Sequence, residues 1–158
     1  MIGKTVSHYK VLEKIGEGGM GEVYLAEDTK LKRQVSLKFL SAELTKDEER
    51  KQRFIQEARA AAAIQHPHIA AVYDIDESEG RTFIAMEYIP GGSLREVIEA
   101  KTLTVRRSLE LGTQIADGLA KAHEKGVVHR DIKPENVLSR KTATPRSSTS
   151  ASPSSSSL

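Results

Sequence analysis

The chain has 158 residues, 38% of them hydrophobic, enough for one modest core, and its 24 Lys and Arg against 22 Asp and Glu leave a net charge of only +2. Charge so small and so evenly spread gives no argument for nucleic acid or a membrane surface as partner. Cysteine is absent, which excludes disulfides and thiolate metal sites and suits a reducing, cytoplasmic setting. Residues 1–10 lack the apolar core of a signal peptide, and no run approaches the roughly 20 apolar residues of a membrane span.

After a short leader, residues 1–8, the stretches Tyr9–Ile15, Glu22–Ala26 and Gln34–Leu40 alternate apolar and polar residues between Gly and charged turns. That period predicts three antiparallel strands joined by tight turns. Thr45 followed by Glu48 has the form of a capping box, and the stretch to about Ile64 is rich in helix-forming Glu, Arg, Gln and Ala. Phe54, Ala58, Ala61 and Ala62 recur at helical spacing, with Glu57 on or beside their face, where a carboxylate is expected to find a cation. Two more apolar runs, Ala70–Tyr73 and Thr82–Tyr88, flank an acidic turn from Asp74 to Gly80 and predict a second hairpin. Asp74 and Asp76 read as part of a solvated turn.

Pro90-Gly91-Gly92 reads as a hinge, after which Ser93 and Glu96 form a capping box that opens a short helix. A longer helix is predicted from about Val105 to Glu124, with Leu111, Ile115, Gly118, Leu119 and Ala122 on one face and Gly126 as its stop. Val127-Val128-His129 should then form a buried strand or loop. From Lys141 to Leu158 the chain is Ser, Thr and Pro with almost nothing to pack.

Three local patterns carry chemistry. Gly16-Glu17-Gly18-Gly19-Met20-Gly21-Glu22-Val23 is a GxGxxGxV string between two predicted strands, where glycines let backbone N–H groups approach phosphate oxygens. A dinucleotide-binding turn needs a helix after the string; here a strand follows. Lys38 is a lysine inside an apolar strand, which alone fits a side chain snorkelling from an edge. A helix presenting Glu57 towards that strand would pair with the ammonium and hold it. The third pattern is His129-Arg130-Asp131-Ile132-Lys133-Pro134-Glu135-Asn136.

With Gly16 to Val23, Lys38 and Glu57 upstream in the right order, this HRDxKxxN string resembles the catalytic loop of protein kinases, of the bacterial Ser/Thr type. Lys133, two residues after the aspartate, fits Ser/Thr specificity. The resemblance implies an α+β fold: a small lobe of about five antiparallel strands plus one helix over residues 9–89, then the first helices and catalytic loop of the large lobe over 90–140. It implies ATP and Mg2+ as cofactors and a protein substrate. Lys38 would hold the α- and β-phosphates and Glu57 position it; Asp131 would accept the substrate hydroxyl's proton, Lys133 steady the γ-phosphate, and Asn136 hold one magnesium ion. Ile15, the string Gly16 to Val23, Ser36, Met86, Glu87 and Tyr88 would surround the nucleotide, with Met86 as gatekeeper and Glu87-Tyr88 as the adenine-facing hinge. Ser36 stands where the family usually has alanine. Arg130 would grip a phosphorylated activation loop.

The family pattern continues after Asn136 with a strand ending in Asp-Phe-Gly, and no such string occurs in residues 137–158. The expectation is therefore a truncated and inactive domain, since the missing aspartate is the metal's main ligand. The tail suggests how this arose. Arg146 to Pro153 can be coded so that the neighbouring reading frame spells Ile-Leu-Asp-Phe-Gly-Leu-Ala, which fits a net one-base loss near Ser139 to Lys141. The competing readings are a flexible linker or phosphorylation acceptors for the tail, and a non-catalytic nucleotide-binding or scaffolding module, or an unstable product, for the whole chain. His66, His68 and His123 lack the neighbours of a zinc site and read as packing or surface residues.

Overall fold

The computed structural model describes residues 1–18 and 21–140; Gly19, Met20 and the Ser-rich segment 141–158 lie outside the described residues. One antiparallel sheet of six strands runs through the first half, in spatial order β1-β2-β3-β4-β6-β5. Its strands are β1 (Thr5–Val6), β2 (Tyr9–Gly18), β3 (Gly21–Asp28), β4 (Arg33–Leu40), β5 (Val72–Ser78) and β6 (Arg81–Glu87). Five are the expected strands. The sixth comes from the residues read as a leader: Thr5 and Val6 pair with Lys10 and Tyr9, because burying Val6 at the sheet edge is favourable.

Alternation divides the sheet into two faces. Val35, Leu37 and Phe39 of β4 point into a cluster with Tyr9, Val11, Tyr24, Phe83 and Ala85. Phe39 and Phe83 lie 5.3 Å apart between ring centres, and Tyr24 meets Phe39 edge to face at 5.7 Å. The next residues along, Leu40 and Ile84, therefore turn to the other face, where they pack with Phe54 and Ala58 of the helix that crosses the sheet.

That helix, α2 (Glu48–Ala62), starts two residues later than the Thr45 capping box would place it. Ser41 caps a separate turn, α1 (Ala42–Thr45), and Asp47 is the true N-cap of α2, accepting a hydrogen bond from the Arg50 N–H at 3.1 Å. The acidic stretch after Tyr73 is also strand rather than turn. β5 runs to Ser78 and reverses over two residues, Glu79 (φ 51°) and Gly80 (φ 71°), so the hairpin is tighter than expected. Asp74 accepts the Tyr9 hydroxyl at 3.3 Å, and burial together with that carboxylate pushes the Tyr9 phenol up to about 12.

Beyond the sheet, α3 (Leu94–Glu99) opens on the expected capping box: Ser93 Oγ accepts from the Glu96 N–H and Glu96 Oε2 accepts from the Ser93 N–H. The long helix α4 spans Val105–Glu124 with Thr104 as N-cap. Its end is a Schellman motif, Val127 N–H donating to Ala122 O and Gly126 N–H to His123 O, with Gly126 at φ 72°. Leu111, Gly118 and Ala122 are its buried residues, and a Cβ on Gly118 would lie 3.2 Å from the His68 carbonyl oxygen. Glycine thus lets α4 approach the 66–69 loop closely. His66 Nε2 reaches Asp117 Oδ2 of the same helix at 3.2 Å.

Candidate active site

The strand register assembles one side of the candidate site. Directly opposed residues of an antiparallel pair share a face. Val23 opposes both Gly16 and Lys38, and Lys38 opposes Ile84, so these four form one row across β2, β3, β4 and β6. Leu25, Ser36 and Met86 make the next row on the same face. A lysine here is half-buried among apolar neighbours and is not on an edge strand, so the snorkelling explanation does not apply. The β4–β6 ladder ends at Val35 and Glu87, and the backbone at Tyr88 leaves the sheet.

The glycines of the hairpin differ in what they do. Gly21 sits at φ 142°, and a Cβ there would lie 1.8 Å from the Phe39 carbonyl oxygen, so the fold itself demands glycine. Gly18 has nothing within 4 Å and Gly16 meets only Val23 at an ordinary 3.7 Å. Those two leave an open backbone surface, as a phosphate cradle needs, while Gly19 and Met20 fall outside the described residues. Ile15, at a bulge in β2, is exposed, as is Glu17.

A charged clamp on the other face of the hairpin escaped the sequence reading. Lys14 binds Glu17 at 2.7 Å and Glu22 at 2.9 Å, and Arg81 from the start of β6 reaches Glu22 at 2.9 Å while lying over the Phe39 ring. The Lys14 ammonium, then the Arg81 guanidinium, hold the Glu22 carboxyl down at about 2. Glu22 and Arg81 are 59 residues apart, and only the β3–β4–β6 pairing brings them together.

The expected Lys38–Glu57 ion pair is not formed in this conformation. α2 packs through Phe54 and Ala58, and Glu57, to one side of that face, is exposed. The hydrophobic contact fixes the helix against the sheet; one solvated carboxylate contributes too little to turn it.

The catalytic-loop string is exposed, including Val128, so Val127-Val128-His129 is not the buried segment expected. Its polar groups nevertheless converge. Lys133 Nζ lies 2.9 Å from Asp131 Oδ2, and Asn136 Nδ2 donates to Asp131 O at 2.9 Å and to Asp131 Oδ2 at 3.1 Å. The Lys133 ammonium holds the Asp131 carboxyl below the usual carboxylate range, and Asp131 in turn raises Lys133. Arg130 adopts φ 64°, which turns the chain between His129 and Asp131. The loop is tied back to the hinge: Leu94 N–H donates to Val137 O at 2.7 Å, Ser139 N–H to Gly92 O at 2.9 Å, Arg95 pairs with Glu135 at 2.9 Å, and Arg140 pairs with Glu87.

The donors of the strand face suit phosphate oxygens. Glycine backbone and a half-buried ammonium fit phosphate oxygens. Among the described residues no three His, Asp or Glu side chains cluster as metal ligands, and Asn136 donates its amide N–H to Asp131, a bond that does not use its Oδ1.

Comparison with known proteins agrees with this geometry. The family description "Protein kinase domain" matches residues 9–146. The serine/threonine-protein kinase PknJ of Mycobacterium tuberculosis is 42% identical over 136 residues, 86% of this chain and 23% of that protein. PrkC of Bacillus subtilis is 43% identical over 140 residues, 87% of this chain and 22% of its own length. The crystal structure of the Mycobacterium tuberculosis PknI kinase domain superposes with a TM-score of 0.77 at 35% identity, covering 87% of this chain and 56% of that one. The chain therefore spans under a quarter of those curated relatives and little more than half of the solved domain. Among the described residues no helix is long and apolar enough to cross a membrane. From a glycine hairpin over a strand lysine, a converging Asp-Lys-Asn loop, and a family match over most of its length, the chain belongs to the protein kinase family.

Proposed function

We propose that the chain is the ATP-holding and catalytic-loop part of a cytoplasmic Ser/Thr protein kinase, and that these 158 residues alone bind nucleotide without transferring phosphate. The observation that carries the reading is the row Gly16, Val23, Lys38 and Ile84, with a second polar cluster at Asp131. ATP supplies the phosphoryl group that such kinases move to a protein hydroxyl.

The chain's own residues divide the work. The open backbone at Gly16 and Gly18 receives phosphate oxygens, and Lys38 neutralises them from beneath, with Val23, Ser36 and Met86 lining the base and Glu87-Tyr88 the hinge. Asp131 Oδ accepts the proton of the substrate Ser or Thr hydroxyl and orients its oxygen. Its lowered pKa keeps it ionised, which suits an orienting acceptor. Lys133 faces the transferred group, and Asn136 holds the Asp131 carboxylate in place. Glu57 reaches Lys38 after a rotation of α2. With no Asp-Phe-Gly in 137–158, charge on the transferred group stays largely uncompensated, and transfer fails.

The test is fluorescent ATP titration of the whole chain beside a radiolabel transfer assay. Saturable binding weakened about tenfold by Lys38→Met, with no labelled product, is the expected result. Absence of binding to folded protein refutes the nucleotide reading, and labelled product refutes the claim of inactivity. We further propose that residues 141–158 are read from a shifted frame. Resequencing that shows Asp-Phe-Gly and further kinase sequence one base away supports this, and a closed frame leaves the chain as a native binding module.

A further inference from the structure

The clamp of Lys14, Glu22 and Arg81 lies on the sheet face opposite the row of Gly16, Val23 and Lys38. Glu22 opposes Glu17 on β2 and Phe39 on β4, one step along from Val23 and Lys38, so alternation turns it to the aromatic side. None of the three clamp residues can therefore touch a ligand seated on the Lys38 side.

The hairpin has little else to hold it near its tip. Gly16 and Gly18 carry no side chains to pack, and β2 pairs there with β3 alone, since β1 reaches only Tyr9 and Lys10. The β2–β3 register also slips twice, between Val11 and Glu13 and between Lys14 and Gly16, which loosens the ladder just before the glycines.

Arg81 supplies an anchor from two strands away. β4 lies between β3 and β6, and the guanidinium crosses it over the Phe39 ring, 4.8 Å from the centroid, to place Nη2 2.9 Å from Glu22 Oε2. The two side chains are 26% and 28% exposed, so water screens this pair less than a surface pair. Arg81 Nε is buried without a partner, Nη1 rests against Met1 Sδ at 3.9 Å, and Glu22 is its one carboxylate among the described residues. Lys14 fastens the same carboxylate from β2 at 2.9 Å. Glu22 is thus held from both sides, immediately after the paired glycines Gly18 and Gly21.

From these contacts we infer that Arg81 is a positioning residue for the nucleotide: through Glu22 it braces the glycine hairpin against β6 and fixes the backbone at Gly16 and Gly18 for the phosphates of ATP. The inference rests on the reading of the Lys38 face as a nucleotide site.

Adenosine is the control, because it brings no phosphate to the hairpin. Arg81→Met keeps an apolar chain over Phe39, and in titrations of the whole chain it should weaken ATP about fivefold while leaving adenosine unchanged. Loss of folded protein would weaken both alike, and that result overturns the brace. Arg81→Lys, which keeps the charge, should recover most of the ATP affinity. Glu22→Gln should give the same split, and in that background Arg81→Met should have no further effect. An equal fivefold loss there makes Arg81 a plain distant charge and overturns the proposal, as does stronger ATP binding by Glu22→Gln, which would mark the carboxylate as merely repelling. Amide exchange of the nucleotide-free chain is the second readout: Arg81→Met should speed exchange at Gly16, Gly18 and Val23 several-fold and leave α4 unmoved. Unchanged exchange at the hairpin also overturns the brace. A parent chain that binds neither ligand refutes the nucleotide reading itself, whereas ATP held equally by parent and Arg81→Met refutes the brace alone.

Discussion

Gly21 shows how one position can be fixed by backbone alone. With φ at 142° and a would-be Cβ 1.8 Å from the Phe39 oxygen, Gly21→Ala is expected to cost about 2–4 kcal/mol, measured by urea unfolding. Gly18→Ala, with nothing within 4 Å, should leave stability unchanged and weaken nucleotide binding instead. The pair separates a glycine that the sheet needs from one that a ligand needs. Glu22 carries a pH signature. Its carboxyl is lowered from 4.5 to about 2 by Lys14 and then Arg81, so its stabilisation is full above pH 4.5 and is lost as pH falls towards 2. Glu22→Gln should therefore lower the melting temperature by a few degrees at pH 7 and match the parent at pH 2. An unchanged difference across that range would assign the loss to packing rather than charge.

Among the elements, α4 was legible to its ends because its boundaries are local: a Thr cap, a 3.6-residue apolar period, and a glycine stop. Gly126→Ala should cost about 1 kcal/mol by forcing a side chain into the left-handed region at φ 72°. The start of α2 was misplaced because two capping candidates, Ser41 and Asp47, flank Thr45, and backbone geometry chooses between them. Asp47→Ala is expected to cost about 1 kcal/mol and Thr45→Ala much less, checked in the same unfolding series. β5 ran further than expected since Asp74 and Asp76 look like turn residues, yet pairing with Ala85 and Phe83 outweighs their weak strand preference. The motif residues of the site could be read directly, being short strings. What could not be read is what depends on distant partners: the Glu22–Arg81 contact across 59 residues, and the open Lys38–Glu57 gap, which is set by how Phe54 and Ala58 seat the helix.

Taken whole, the molecule is well packed around its sheet and poorly covered beyond it. Val105 is 79% exposed, Leu109 69% and Val128 61%, and a Cβ on Gly112, on the same stripe of α4, would meet nothing within 4 Å. Such a surface favours association in solution. Val105→Glu with Leu109→Lys should raise the soluble yield and reduce light scattering without lowering the melting temperature, since neither residue is buried. The hinge, by contrast, is doubly fastened. Besides the covalent path through Pro90–Gly92, the segment after the catalytic loop is stitched to it by Leu94–Val137, Ser139–Gly92 and Arg140–Glu87. Mechanically these are two load paths in parallel, so a bend at the glycines strains the cross-stitches in shear. Twisting the end of β6 must therefore drag the Asp131 loop with it.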